Sequence, residues 1–286
     1  HFIGPCSKSI RRTEPCSLMR LLKYVFLRIY QDYISGDRLR DYEALLTCAL
    51  DHGYKCISVS DFWGLVSSAR IDKDQRYLIL RHDIDSDVAK ARRFVEINNK
   101  LDLSSTFYLR IDTFDSALVK DILSAGLDLG YHFEELSDTA LESGWSRVAD
   151  VDIHECRRRF IKNLKSLREN HSIPIDNICS HGEFVNRSLG VTNNYFLDDK
   201  FLKEAGIRID AYSPDLRDAI DAFVSDTFPP QKYIPHDPKF HFKSGTQVVQ
   251  ILVHPRHWGG NVITNTKLDS ARVFRGIKYF INKILK

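Results

Sequence analysis

Tyr77-Leu78-Ile79-Leu80-Arg81-His82-Asp83-Ile84-Asp85 is the stretch on which the reading of this chain turns. Its first four residues are an uninterrupted apolar run, the pattern of a strand buried on both faces. Its last five put two carboxylates and an imidazole where that strand should stop. Alternate residues of a strand point the same way, so Asp83 and Asp85 aim at one space and His82 at the other face. Two like charges so close are costly unless a cation or a shared proton separates them. A metal ion, with one Asp left over for proton transfer, is the economical explanation. A strand end capped by solvated acids is the plain alternative.

Outward from this stretch, strand-like and helix-like segments alternate. Strands are expected at 56–59, 105–110, 127–132, 177–181, 207–212, 222–225 and 248–253. Helices are expected at 42–52, stopped by Gly53, and at 61–68, 88–99, 116–124 and 152–169. Such alternation means βαβ units and a parallel sheet. The expected fold is α/β: a distorted or incomplete (β/α) barrel of about seven parallel strands. It forms a single domain over residues 37–270, with an N-terminal extension at 1–36 and a basic amphipathic helix at 271–286. Residues 1–16 read as irregular.

In parallel α/β folds chemistry collects at the C-terminal strand ends. Here those ends carry His82, Asp83 and Asp85; Arg110 and Asp112; His132, Glu134 and Glu135; His181 and Glu183; Asp210 and Tyr212; Asp226; and His254 to Trp258. Each alone suits a solvated loop. Ionisable groups at nearly every end, with imidazole at four, point to a site. Histidine and aspartate without thiolate suit zinc or another borderline divalent ion in an open, hydrolytic centre.

Composition bounds the alternatives. With 286 residues, 43% hydrophobic and 28% charged, the chain can bury a large core. A net charge of +3 gives no argument for nucleic acid. Six scattered cysteines without a CxxC pair favour free thiols in a reducing compartment. Residues 18–34 carry apolar positions (Leu18, Leu21, Leu22, Val25, Phe26, Ile29, Tyr33) at helical spacing, interrupted by charges, so they do not span a membrane. This stripe is expected to pack on the body of the protein, with a membrane surface as the alternative. The basic tail 274–286 poses the same choice. These features give a cytoplasmic protein with an option of peripheral attachment at the inner membrane surface.

The motifs Leu80-Arg81-His82-Asp83-Ile84-Asp85, Ser105-Thr106-Phe107-Tyr108-Leu109, Leu129-Gly130-Tyr131-His132-Phe133-Glu134, Ser180-His181-Gly182, Val224-Ser225-Asp226-Thr227 and Leu252-Val253-His254-Pro255 occur in that order. Together they resemble the polysaccharide deacetylase superfamily (NodB-homology, carbohydrate esterase 4 type), in a branch with an Arg-His-Asp-x-Asp motif. The resemblance spans about Asp41 to Trp258. It implies metal-dependent removal of an acyl group, usually N-acetyl, from a sugar or surface-polysaccharide precursor. It casts Asp83 as general base, His254 as general acid, and Asp85 and His132 as ligands of one divalent ion, with zinc expected. The second histidine of the family's metal motif falls at Leu136, which cannot ligate. His181 is expected to replace it, with Glu134 as the fallback, and the roles of Asp83 and Asp85 are open to exchange. Arg110, Glu134, Asp226 and Trp258 are expected to contact the carbohydrate, with Tyr131 and Tyr212 as further wall residues and Arg256 as a second holder of an acidic substituent. The competing readings are a hydrolase of another non-peptide C–N bond and an inactive barrel that binds a glycan or a partner.

Overall fold

The computed structural model describes residues 17–227 and 232–284. Its strands are β1 (Tyr54–Ile57), β2 (Arg76–Ile84), β3 (Thr106–Leu109), β4 (Asp128–Phe133), β5 (Asn177–Ser180), β6 (Ile209–Asp210), β7 (Ala222–Asp226), β8 (Tyr233–Ile234) and β9 (Val248–Val253). They form one sheet in the order β6-β5-β4-β3-β2-β9-β7-β8, with β1 on the first half of β2. Every pairing is parallel except β7 with β8. The architecture is the expected α/β one, a parallel sheet with flanking helices. The short antiparallel β8 is an addition that the sequence pattern does not signal.

The helices are α1 (Ser17–Ile29), α2 (Leu39–Asp51), α3 (Val59–Ser67), α4 (Val88–Lys100), α5 (Ser116–Ser124), α6 (Glu135–Ser143), α7 (Ile153–His171), α8 (Phe184–Leu189), α9 (Asp199–Glu204), α10 (Pro214–Asp218), α11 (Pro238–Ser244) and α12 (Val262–Ile284). The irregular reading of 1–16 lies outside the described residues. The last helix begins well before position 271, at Val262. The unexpected α6 follows Glu134 directly and buries Leu136, Ala140 and Leu141. Leu136, standing where the family's second histidine falls, is core.

β2 is the spine of the sheet. It does not stop at Leu80 but runs to Ile84, with every residue after Arg76 buried. Arg81 to Ile84 pair in register with Thr106 to Leu109, and Tyr77 to His82 with Val248 to Val253. Arg81 and His82 are therefore paired on both edges, Asp83 and Ile84 pair with β3 alone, and Asp85 follows the strand end. His82 takes the far face as expected. It stacks on Phe107 at 4.2 Å between ring centroids and meets the Tyr42 hydroxyl at 2.7 Å. Burial pushes its pKa down to about 4, which makes it a neutral core residue. On β4, Gly130 leaves room for the Tyr108 ring: a Cβ there would sit 2.4 Å from it. The four cysteines among the described residues, Cys48, Cys56, Cys156 and Cys179, are free.

Candidate metal centre and active site

β2, β4 and β5 bring Asp85, His132 and His181 to one point. Asp85 Oδ1 lies 3.2 Å from His132 Nε2 and 3.5 Å from His181 Nε2. The other nitrogen of each ring is occupied. His132 Nδ1 lies 3.0 Å from the Cys179 carbonyl oxygen, which can only accept, so Nδ1 carries the hydrogen. His181 Nδ1 lies 3.1 Å from Glu134 Oε2. Burial alone would raise the Glu134 pKa, but His181 and the Arg110 guanidinium bring it to about 2, so it too accepts. Both rings are thereby fixed with Nε2 turned toward Asp85. Asp85 Oδ1 is buried and makes no hydrogen bond. Two imidazole nitrogens and one carboxylate oxygen without a hydrogen bond converge in a buried place, a donor set that fits a borderline divalent cation.

Two further clusters bring acids and metal-ligating groups within 4.8 Å, Asp83–His132–Cys179 and Asp226–His254–His257, but their carboxylate oxygens already accept hydrogen bonds. Both Asp83 oxygens accept from Arg81, Oδ1 from Nε at 2.8 Å and Oδ2 from Nη2 at 2.7 Å. Both imidazole Nδ1 atoms of the second cluster turn to the same Asp226 oxygen, at 2.7 and 2.8 Å.

Asp83 sits beside the triad, its Oδ2 3.5 Å from His132 Nε2. Burial would raise its carboxyl, but Arg81, His132 and His254 together hold the pKa below the usual range. Asp85 is likewise ionised: burial opposes it, and His181 and His132 hold it well below the ordinary carboxylate value. His181, between Asp85 and Glu134, rises to about 10 against its burial. A bound cation would displace that proton. On the other side of Asp85 stands His254. Burial would lower its pKa, but Asp226 raises it to about 9, which keeps the ring protonated at neutral pH.

Several expected substrate contacts turn out to be supports. Arg110 Nε donates to Glu134 Oε1 at 2.9 Å, and Nη1 to the Asp85 carbonyl at 3.1 Å. Arg110 and Glu134 thus brace His181 and the Asp85 backbone, and Glu134 stands behind His181 instead of replacing it. Asp226 accepts from the His254 backbone N–H at 2.8 Å and from Trp258 Nε1 at 2.7 Å, besides the two imidazoles. Trp258 is 1% exposed and packs edge-on against Tyr42 and Phe94, so no sugar can stack on it. Tyr131 is equally buried, its hydroxyl on Glu135. Arg256 is held by Asp32 and Asp269. Asp112 lies in an exposed turn, apart from the buried cluster.

Arg81 is the residue to which the sequence reading gave no role. Strand alternation carries the signal, since Arg81, Asp83 and Asp85 share one face. Its Nη2 also donates to the Tyr212 hydroxyl at 2.9 Å. Of the expected wall residues, Tyr212 borders the space beside His181. It lines a cavity of about 450 Å³ with His181, Asn186, Asn194 and Arg217. A smaller cavity of about 140 Å³ reaches Asp85 and His254.

No family model and no curated protein matches the sequence. Solved structures similar to it include peptidoglycan deacetylase PdaC from Bacillus subtilis, at 12% identity over 73% of this chain and 98% of that one, with a TM-score of 0.39. A family 4 carbohydrate esterase from Bacillus anthracis is 10% identical over 87% of this chain and 88% of that one, with a TM-score of 0.38. A CE4 family pseudoenzyme from Bacillus anthracis is 12% identical over 64% of this chain, with a TM-score of 0.37. The match spans little more than half of that pseudoenzyme, 56% of its length. What this chain is similar to, in these comparisons, are structures of the carbohydrate esterase 4 family, the one its motifs resemble.

Proposed function

We propose that this chain is a metal-dependent hydrolase that removes an acyl group, N-acetyl in the first instance, from a sugar or surface-polysaccharide precursor. The carrying observation is the Asp85 Oδ1, which makes no hydrogen bond, facing the Nε2 atoms of His132 and His181, with the Asp83 carboxylate and the His254 imidazolium on either side. A divalent ion held by Asp85, His132 and His181, zinc on the chemistry of the donors, would polarise the acyl carbonyl and lower the pKa of a bound water.

The remaining work falls to the chain. Asp83 takes one proton as the water oxygen bonds to the acyl carbon. Arg81 grips both Asp83 oxygens, which fixes the carboxylate and keeps it ionised until then. His254 gives its proton to the sugar nitrogen as the C–N bond breaks, so acetate and a free amine leave. Asp226 holds the His254 Nδ1, which leaves Nε2 as the donor. The polar cavity beside His181, with Tyr212, Asn186, Asn194 and Arg217, offers hydroxyl-matching groups for the sugar ring.

Metal content by mass spectrometry, with acetate release from N-acetylated oligosaccharides, tests the reading. About one zinc-like ion per chain, lost in Asp85→Ala, His132→Ala and His181→Ala, supports it. A chain that takes up no metal after reloading overturns it. Metal uptake with hydrolysis of cyclic amides but no acetate release would move the substrate to another C–N bond.

A further inference from the structure

The amphipathic segments at the two ends of the chain are built inside out. In α1 and the π-helical turn that extends it (Tyr30–Ile34), Gln31 and Asp32 are buried, whereas Leu22, Val25, Phe26, Ile29, Tyr30 and Ile34 are exposed. Phe26 is 65% exposed. In α12 the inward positions are polar or tethered: Arg275 pairs with Asp138, the Tyr279 hydroxyl donates to the Trp145 carbonyl, and Asn282 reaches the Leu141 and Glu142 carbonyls. Val273, Phe274, Ile277, Phe280, Ile281 and Ile284 face outward, Phe274 at 72% exposure. Their spacing of three and four residues makes one continuous stripe. The expectation that the stripe of α1 packs on the body of the protein is overturned for its described positions Leu22, Val25, Phe26 and Ile29, and the choice left open for the tail falls the same way. The polar side is tied down and the apolar side is left out.

The two segments belong to one region. The Tyr33 hydroxyl donates to Asp269 of α12 at 2.6 Å, and Asn265 Nδ2 to the Asp32 carbonyl. Arg28 of α1 and Arg272 of α12 line the same small cavity as Asp85 and His254. The two helices therefore adjoin an opening of the Asp85–His254 cluster.

Charge identifies the occupant. Residues 17–34 and 262–284 carry eight Lys or Arg against two Asp, a surplus of six, on a chain whose whole surplus is three. The rest of the protein is net acidic. A second copy would bring the same surplus of positive charge to the contact, which opposes pairing through this face. An apolar stripe bordered by Lys23, Lys267, Lys278 and Lys283 matches an anionic lipid surface, which supplies acyl chains for the stripe and phosphate for the bases.

We propose that α1 and α12 seat the protein on an anionic membrane surface, with the catalytic cluster opening beside the headgroups. The surface stands on this geometry and not on the hydrolase reading, and its test is separate from metal content and acetate release. The full chain is mixed with vesicles of phosphatidylcholine alone and with a share of phosphatidylglycerol, then sedimented at low and high salt. Binding is expected to anionic vesicles only, weakened by salt. The exposed double variant Phe26→Asp/Phe274→Asp is expected to lose about tenfold or more in vesicle partition, with circular dichroism and metal content unchanged. Lys278→Glu/Lys283→Glu, which leaves the stripe intact, is expected to weaken binding at low salt only. No binding to anionic vesicles, or equal binding by the apolar double variant, overturns the proposal. So does concentration-dependent dimerisation that the same double variant abolishes, since a second copy would then cover the face.

Discussion

His181 and His254 stand on opposite sides of Asp85, and each has a buried carboxylate at its Nδ1. The two carboxylates differ in their other partners. Glu134 shares its charge with Arg110. Asp226 has no Arg or Lys among the described residues and accepts only from two imidazoles, an indole and one backbone amide. A carboxylate shared with an arginine fixes the orientation of the ring, which suits a ligand. An unneutralised one holds the ring as imidazolium, which suits an acid. What raises His181 most against its burial is Asp85, the charge that a bound cation would take over. On the proposed hydrolase reading, a buried carboxylate behind a histidine would support a metal ligand on one side of Asp85 and an acid on the other.

The sharpest way to break this comparison is to remove the groups it separates. His254→Ala is expected to lower kcat by about 10²–10⁴-fold with metal content intact. His132→Ala is expected to abolish activity through loss of the ion. If the two variants lose metal equally, the distinction between the sides fails. Glu134→Gln tests the brace, and metal affinity should fall by about 10–100-fold while the pH profile keeps its shape. Asp226→Asn tests the other carboxylate. The alkaline limb of kcat should move down from about pH 9 toward the ordinary imidazole value near 6.5, with metal affinity unchanged.

A smaller effect is expected on stability. The His254 pKa rises from 6.5 to about 9 on folding, so its pairing with Asp226 contributes stability that is complete below about pH 6.5. That contribution is lost as pH rises through about 9. Thermal melts of wild type and Asp226→Asn at pH 6 and pH 10 check it: the gap between them should narrow at the higher pH. Smallest of all, Trp258→Phe leaves Asp226 one donor short inside the core and should cost about 1–3 kcal/mol, read from urea unfolding.

The sequence by itself determined much of the frame. A run of apolar residues ending in Arg81-His82-Asp83-Ile84-Asp85 specifies a central strand, because period-two alternation and burial leave little else. The strand ends carried the acids and imidazoles in order, so Asp83, Asp85, His132, His181 and His254 were all legible as candidates. What a sequence cannot carry is which neighbour satisfies which buried polar atom, since those partners lie 24 to 47 positions apart, as with Arg110–Glu134 and His132–Cys179. That pairing turned Arg110, Glu134, Asp226 and Trp258 from expected sugar contacts into supports. It also made Arg81 the grip on Asp83. For the terminal helices, amphipathicity fixed that a stripe exists but not which way it faces. The direction was settled by tertiary contacts, because the hydrogen bonds of Gln31, Tyr279 and Asn282 to the body of the protein anchor the polar side and leave the apolar side outward.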